Sequence, residues 1–378
     1  MGESKATSSQ PAPAAGAAPC DVHESARSVI RMQRGVLGLS FLAVLLVSVS
    51  IFSLGMGAVP ITPSQVVAVL GHQINLSLPW NFEPLHEAIV ISIRLPRILL
   101  GMWIGGGLAI SGAAMQGLFR NPLADPGLIG VSSGAAVAAV AFIVLGSTVL
   151  DFFTQLLGPF ALSLAAFSGG AFTTFLVYSL SLVHGRVAMS TMLLAGIAIN
   201  AVAGAITGVF TFVADDAQLR SLTFWSLGSL GGATWPGVAA TVPVIALSTL
   251  AILRYTRPLN ALLLGEEEAG HLGYRVEFLK RSLVLLVALT VGAAVAVAGI
   301  IGFVGLVVPH LLRLTLGPDH RFLLPGSALL GASLLLSADL IARIVVAPAE
   351  LPIGIVTAII GGPFFMYLLQ RGRRLGRY

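Results

Sequence analysis

Charge and cysteine are what this 378-residue sequence has least of. Only 10% of its residues are charged and 56% are hydrophobic, with a mean hydropathy of +0.94. A soluble chain of this size would carry about 25% charged residues, so a water-soluble globular domain is excluded. The single cysteine, Cys20, rules out an internal disulfide and a metal centre built from cysteine thiolates. It follows Ala-Ala-Pro, but the residues ahead of it include Pro11 and Pro13 and lack the apolar segment of a lipoprotein signal. Lysine is nearly absent too, with Lys5 and Lys280 alone. Neither stands in Gly-x-x-x-x-Gly-Lys-Ser/Thr, whose lysine neutralises a transferred phosphate, so nucleotide hydrolysis of that type is excluded. Strand-like alternation does not dominate, which argues against a β-barrel.

What is present is one apolar run after another, each near or above the ~20 residues that cross a bilayer. Without water the backbone must satisfy its own polar groups, and a helix does so within one segment. The 43 glycines fit, because small residues let helix backbones approach closely in lipid. The reading is an all-α membrane protein. Residues 1–34, rich in Ala, Pro and Ser, are expected to be a disordered cytoplasmic tail, and 35–378 a transmembrane domain. About ten spans are expected near 36–57, 94–117, 128–148, 156–183, 190–213, 237–253, 280–301, 304–316, 326–347 and 353–370. The eighth is short and has to depend on neighbouring helices.

Placing both termini in the cytoplasm puts 17 of the 21 basic residues on that side, as the positive-inside rule requires. Arg94, Arg97, Arg220 and Arg343 fall outside. An equal division of ten spans would give halves of opposite orientation, as in inverted repeats, although the sequence carries no clear repeat. The pI near 9.9 is explained by this topology and does not call for nucleic acid. Ion coupling would need ionisable groups within the spans. The clearest acidic one, Asp339, stands four residues before Arg343 and reads first as a helix ion pair. A membrane enzyme would need intramembrane His, Glu and Asp clusters, and none is evident.

Longer motifs carry more. Arg94-Leu95-Pro96-Arg97 leads into Gly105-Gly106-Gly107 and Ala109-Ile110-Ser111-Gly112, followed by Arg120-Asn121-Pro122-Leu123-Ala124-Asp125-Pro126-Gly127. Further on come Leu193-Leu194-Ala195-Gly196, Leu264-Gly265-Glu266-Glu267-Glu268-Ala269, Gly302-Phe303-Val304-Gly305-Leu306-Val307-Val308-Pro309-His310 and Glu350-Leu351-Pro352-Ile353-Gly354. Over about residues 60–375, and in this order, the chain closely resembles the FecCD-type permeases, the type II ABC importers of iron-siderophores, heme and vitamin B12. The resemblance implies the vitamin B12 permease-like fold and a bacterial inner-membrane location. It also implies a permease homodimer with two ATPase subunits and a periplasmic binding protein. No cofactor or metal is expected on this chain; ATP and Mg would be used by the ATPase.

The same resemblance assigns residues. Arg94, Arg97 and Arg343 on the outer face would dock acidic residues of the binding protein, where charge steers encounter; the plain alternative is headgroup anchoring. The inner loop with Leu264, Gly265, Glu266, Glu267, Glu268, Ala269 and Gly270 would be the coupling helix that sits on the ATPase. Its acidic cluster would also complement a helix dipole. Asn121, Leu123 and Ser190 would narrow the pathway at the cytoplasmic side, although Ala188-Met189 before Ser190 keeps the polar gate pattern only in part. Asn121 also reads as a plain helix-stop turn, since Pro122 biases it away from α. For cargo, the segment Phe224–Gly232 and the ending Gly361-Gly362-Pro363-Phe364-Phe365 look most like the heme branch, with ferric siderophore or cobalamin as alternatives. His310 belongs to the shared Val-Pro-His motif, and no heme-ligand cluster emerges.

Overall fold

The computed structural model describes residues 20–374 except 58, 77, 147 and 348. Helix α1 (Cys20–Gly55) begins well before the expected boundary at residue 35. Residues 20–34 therefore belong to a helix and not to a tail, because nothing between Asp21 and Arg34 is Pro or Gly and the last breaker upstream is Pro19. The rest of the expected tail lies outside the described residues.

Then follow α2 (Pro63–Gln73), α3 (Pro84–Ala88), α4 (Leu95–Leu118), α5 (Val131–Leu145), α6 (Asp151–Leu157), α7 (Ala161–Leu180) and α8 (Met189–Val213). A two-stranded turn, β1 (Leu182–Val183) against β2 (Arg186–Val187), joins α7 to α8. The second half holds α9 (Asp216–Leu227), α10 (Trp235–Leu253), α11 (Thr256–Leu262), α12 (Glu266–His271), α13 (Val276–Ala298), α14 (Val304–Thr315), α15 (His320–Ile344) and α16 (Ile353–Arg374). Among the described residues seven helices are long and apolar enough to cross a membrane, and the shorter apolar α5, α14 and α16 fall on three further expected spans. Together they match the ten expected in number and order; the chain is a multi-pass membrane protein.

α4 is the axis. Nearly every residue from Pro96 to Leu118 is buried, with α15, α14, α10 and α13 packed around it. Two glycine contacts set how close the neighbours come. A Cβ at Gly105 would overlap the Gly331 carbonyl of α15, and one at Gly112 would overlap the Gly305 carbonyl of α14. Backbone meets backbone at both crossings, the small-residue packing that lipid-embedded helices use. Immediately before α4 the chain runs as a π-helix through Ile89–Arg94. Pro96 cannot donate a backbone hydrogen bond and crowds the preceding turn, and the wider turn ahead of it absorbs the mismatch.

Both ends of the bundle are defined by such contacts. At one end Arg97 of α4 meets Asp339 of α15. At the other, Gly117 of α4 lies against His320, whose Nδ1 is 2.8 Å from Asn260 Oδ1 of α11.

Candidate functional site

The arginine end is an ion cluster. Arg97 Nε donates to Asp339 Oδ1 at 3.0 Å and Oδ2 at 3.2 Å, and Nη2 donates to Oδ1 at 2.9 Å. Its outward N–H groups donate to Glu350, Nη1 to Oε1 at 2.9 Å and Nη2 to Oε2 at 3.0 Å. Asp339 is fully buried, whereas the Glu350 side chain is 44% exposed. Arg343 approaches Asp339 from one turn further along α15, with Nε 3.1 Å from Oδ2. Its Nη2 donates to Ser53 Oγ at 2.6 Å, tying α15 to the end of α1. The expected Asp339–Arg343 pair is thus present, but Asp339 is shared, with Arg97 as its better-aligned partner.

Arg94 is different. It is buried, and its guanidinium donates to the carbonyls of Leu54 (2.5 Å), Gly55 (2.9 Å) and Val59. The last carbonyls of a helix lack intrahelical donors and carry partial negative charge, so Arg94 caps α1. Of the three arginines expected to dock a binding protein, Arg94 serves α1 and Arg97 already holds two carboxylates. Sequence reading missed Ser53 and the Arg97–Asp339 pairing. The signal in hand was an arginine and an aspartate each placed against the topology of their own span.

At the opposite end, α12 is preceded by Gly265, whose φ of 146° strongly favours glycine. Glu266, Glu267 and Glu268 fill its first turn, complementing the helix N-terminus. Ala269 is buried beneath it, while Leu264 and Leu272 are 68% and 60% exposed. This end of the chain thus exposes two leucines beside three carboxylates.

Lys280 was not picked out in the sequence and is the organising residue here. Only 3% exposed, its Nζ donates to Glu266 Oε2 of α12 at 2.7 Å, to the Val187 carbonyl of β2 at 3.0 Å and to Glu277 of α13 at 3.4 Å. Glu277 in turn accepts from the Val187 N–H at 2.9 Å. One buried ammonium therefore joins the α12 loop, the α7–α8 turn and α13. Its sequence signal was a lone lysine three residues after a glutamate at the head of an apolar helix.

Of the expected gate residues, Ser190 is exposed at the start of α8. Asn121 Oδ1 accepts from the Leu123 N–H at 2.9 Å, closing the turn after α4 on itself. Among the described residues no side-chain hydrogen bond joins Ser190 to Asn121 or Leu123 within one chain. The turn is nevertheless attached to α8. A Cβ at Gly196 would overlap the Leu128 carbonyl, and Asn200 Oδ1 accepts from Ser133 Oγ at 2.5 Å. Asp125 Oδ1 accepts from the Gly127 N–H at 2.7 Å, and removal of water around the carboxyl raises its pKa. His310 shares a small cleft with Pro122, Phe364 and Phe365, so three of the quoted motifs converge there.

One end gathers arginines and carboxylates, the other offers an acidic, apolar-tipped loop latched to a helix turn, and a packed helical axis lies between. Residues 44–371 match the FecCD transport family. The chain belongs to that family. This FecCD-family permease is 46% identical to the hemin transport system permease protein HmuU of Yersinia pestis over 89% of the chain and 96% of the relative. It is also 46% identical to the cobalamin import system permease protein BtuC of Halobacterium salinarum, over 75% and 74% respectively. A solved inward-facing conformation of a metal-chelate type ABC transporter, 33% identical, superposes with TM-score 0.74 over 88% of this chain and 98% of that one. It is an ABC-importer permease.

Proposed function

We propose that this permease moves heme from the periplasm to the cytoplasm as a homodimer, powered by two separate ATPase subunits and supplied by a periplasmic binding protein. The observation that carries the cargo assignment is the near end-to-end match with the hemin permease, at 96% of that relative's length. Equal identity to the cobalamin permease supports a second reading, cobalamin import, with ferric siderophore as a further member of the same class. Coupling to an ion gradient has little support, because Asp339 is held between Arg97 and Arg343.

In this reading both termini are cytoplasmic and the arginine end faces the periplasm. Arg97 and Arg343 offer charge to acidic residues of the binding protein, and Arg94 adds field while its guanidinium is held on the carbonyls of Leu54, Gly55 and Val59. The loop from Leu264 to Gly270 carries the ATPase contact through exposed Leu264 and the carboxylates of Glu267 and Glu268. Lys280 transmits its position to the turn before Ser190. Asn121, Leu123 and Ser190 narrow the pathway, completed by the second copy.

The test is reconstitution of the chain in liposomes with its candidate ATPase and heme-binding protein. Heme uptake that requires ATP is expected. Uptake without ATP would overturn the mechanism, whereas failure with heme and success with cobalamin would move only the cargo.

A further inference from the structure

Between α7 and α13 runs an apolar groove of about 310 Å³, walled by Phe167, Phe175 and Tyr178 on one side and Leu285 and Ala288 on the other, with Arg281 at one end. From Arg281 to Leu289, α13 rises about 12 Å, close to the ~15 Å of one leaflet of a ~30 Å hydrocarbon core. Phe175 and Leu285 are 66% and 60% exposed, so the groove opens sideways from the bundle and not into its interior. Its charged end belongs with the basic residues that the topology places in the cytoplasm.

The charge at that end is uncompensated. Arg281 Nη2 donates to the Gly185 carbonyl at 3.1 Å, and among the described residues no carboxylate lies in ion-pair range. Glu277, one turn earlier on α13, faces Lys280 and Val187 instead. Arg186 is exposed in the same turn as Gly185 and adds charge of the same sign. The Tyr178 hydroxyl, also among the groove walls, makes no hydrogen bond within the described residues. A guanidinium with spare donors above a leaflet-deep apolar slot matches the two ends of one molecule: a phosphate and an acyl chain.

We propose that this groove binds one anionic phospholipid of the cytoplasmic leaflet, its phosphate on Arg281 and one acyl chain between α7 and α13. Because Arg281 also holds Gly185, the lipid steadies the α7–α8 turn that precedes Ser190. None of the groove's walls belongs to the α12 loop.

The test is native mass spectrometry of the full chain released from mild detergent after exposure to phosphatidylglycerol or phosphatidylcholine. One phosphatidylglycerol per chain is expected, retained roughly fivefold better than phosphatidylcholine, the factor for one basic residue at an anionic surface. Arg281→Gln should lose that preference, Arg281→Lys should largely keep it, and Ala288→Trp should remove lipid of either kind by filling the slot. The lysine variant also separates loss of charge from misfolding. Equal retention of the two lipids, an Arg281→Gln chain that still prefers phosphatidylglycerol, or an Ala288→Trp chain that retains lipid would each overturn the site. So would displacement by millimolar inorganic phosphate, or a disulfide crosslink at Phe175→Cys joining two copies across the groove.

Discussion

Arg97 and Asp339 stand 242 positions apart in the chain, yet Asp339 takes three hydrogen bonds from the Arg97 guanidinium inside the bundle. The pair joins the two helices that pack most extensively, α4 and α15. Removing one member of a buried pair leaves the other charge without compensation, at about 3–5 kcal/mol. Asp339→Asn and Arg97→Met should each lower the thermal midpoint in detergent by that equivalent. The double replacement by Met should be milder than the sum of the two, and strict additivity would mean the residues do not act as a pair.

Glu350 occupies the outward donors of Arg97 while its own side chain is half exposed. Under the proposed docking role it competes with a carboxylate of the binding protein for the same guanidinium. Glu350→Gln should therefore tighten docking by roughly two- to fivefold, the range of an exposed charge pair, with a steeper salt dependence. Weaker docking in the variant would place Glu350 within the docking surface itself.

Lys280 links the α12 loop to the α7–α8 turn through Glu266 and Val187. Lys280→Met keeps the stem packed but cuts both links and leaves two partly exposed carboxylates that water can reach. A stability loss of about 1–3 kcal/mol follows. In liposomes that also hold the ATPase and binding protein, the variant complex should still hydrolyse ATP while moving less cargo per ATP. An unchanged ratio would show that the latch is structural only.

Asp125 caps the turn after α4 in an environment that raises its carboxyl pKa. The folded value lies above the unfolded one, so folding is favoured when the group is protonated. That advantage fades as pH climbs from the ordinary carboxylate range through the raised value. Asp125→Asn keeps the acceptor without the charge and should match or exceed wild-type stability at pH 7, the difference vanishing in acid. Asp125→Ala loses the cap, at about 1 kcal/mol. Thermal melts from pH 4 to 8 decide between these outcomes.

Gly112 admits no side chain against the Gly305 carbonyl. Gly112→Val should block assembly of the bundle, read as loss of the monodisperse peak in size-exclusion chromatography. Gly204→Val on α8, where a Cβ meets open space, should be tolerated.

Much of this was readable from residue order because membrane spans are set by local composition. The apolar runs gave ten helices in sequence, charge bias singled out Arg94, Arg97, Arg220 and Arg343, and the family resemblance narrowed these to Arg94, Arg97 and Arg343 before any contact was known. What stayed hidden was tertiary. Nothing near Arg94 announces that its partners are the carbonyls closing α1, and nothing near Lys280 announces Val187. Asp339 looked like half of a local pair because helical spacing to Arg343 is visible in sequence, whereas the α4–α15 crossing is not. The early start of α1 was missed because polar composition was taken as disorder, although polarity alone does not break a helix.

The backbone contacts at Gly105–Gly331 and Gly112–Gly305 have a mechanical meaning. With no side chains to re-rotamer at either crossing, α4 cannot slide or roll against α15 or α14 without carbonyl colliding with backbone. Under the proposed transport role these three helices form the fixed frame, tied at one end by the Arg97–Asp339 pair. In that role, opening and closing then falls to the helices hung around it, among which α8 is bare along most of its length.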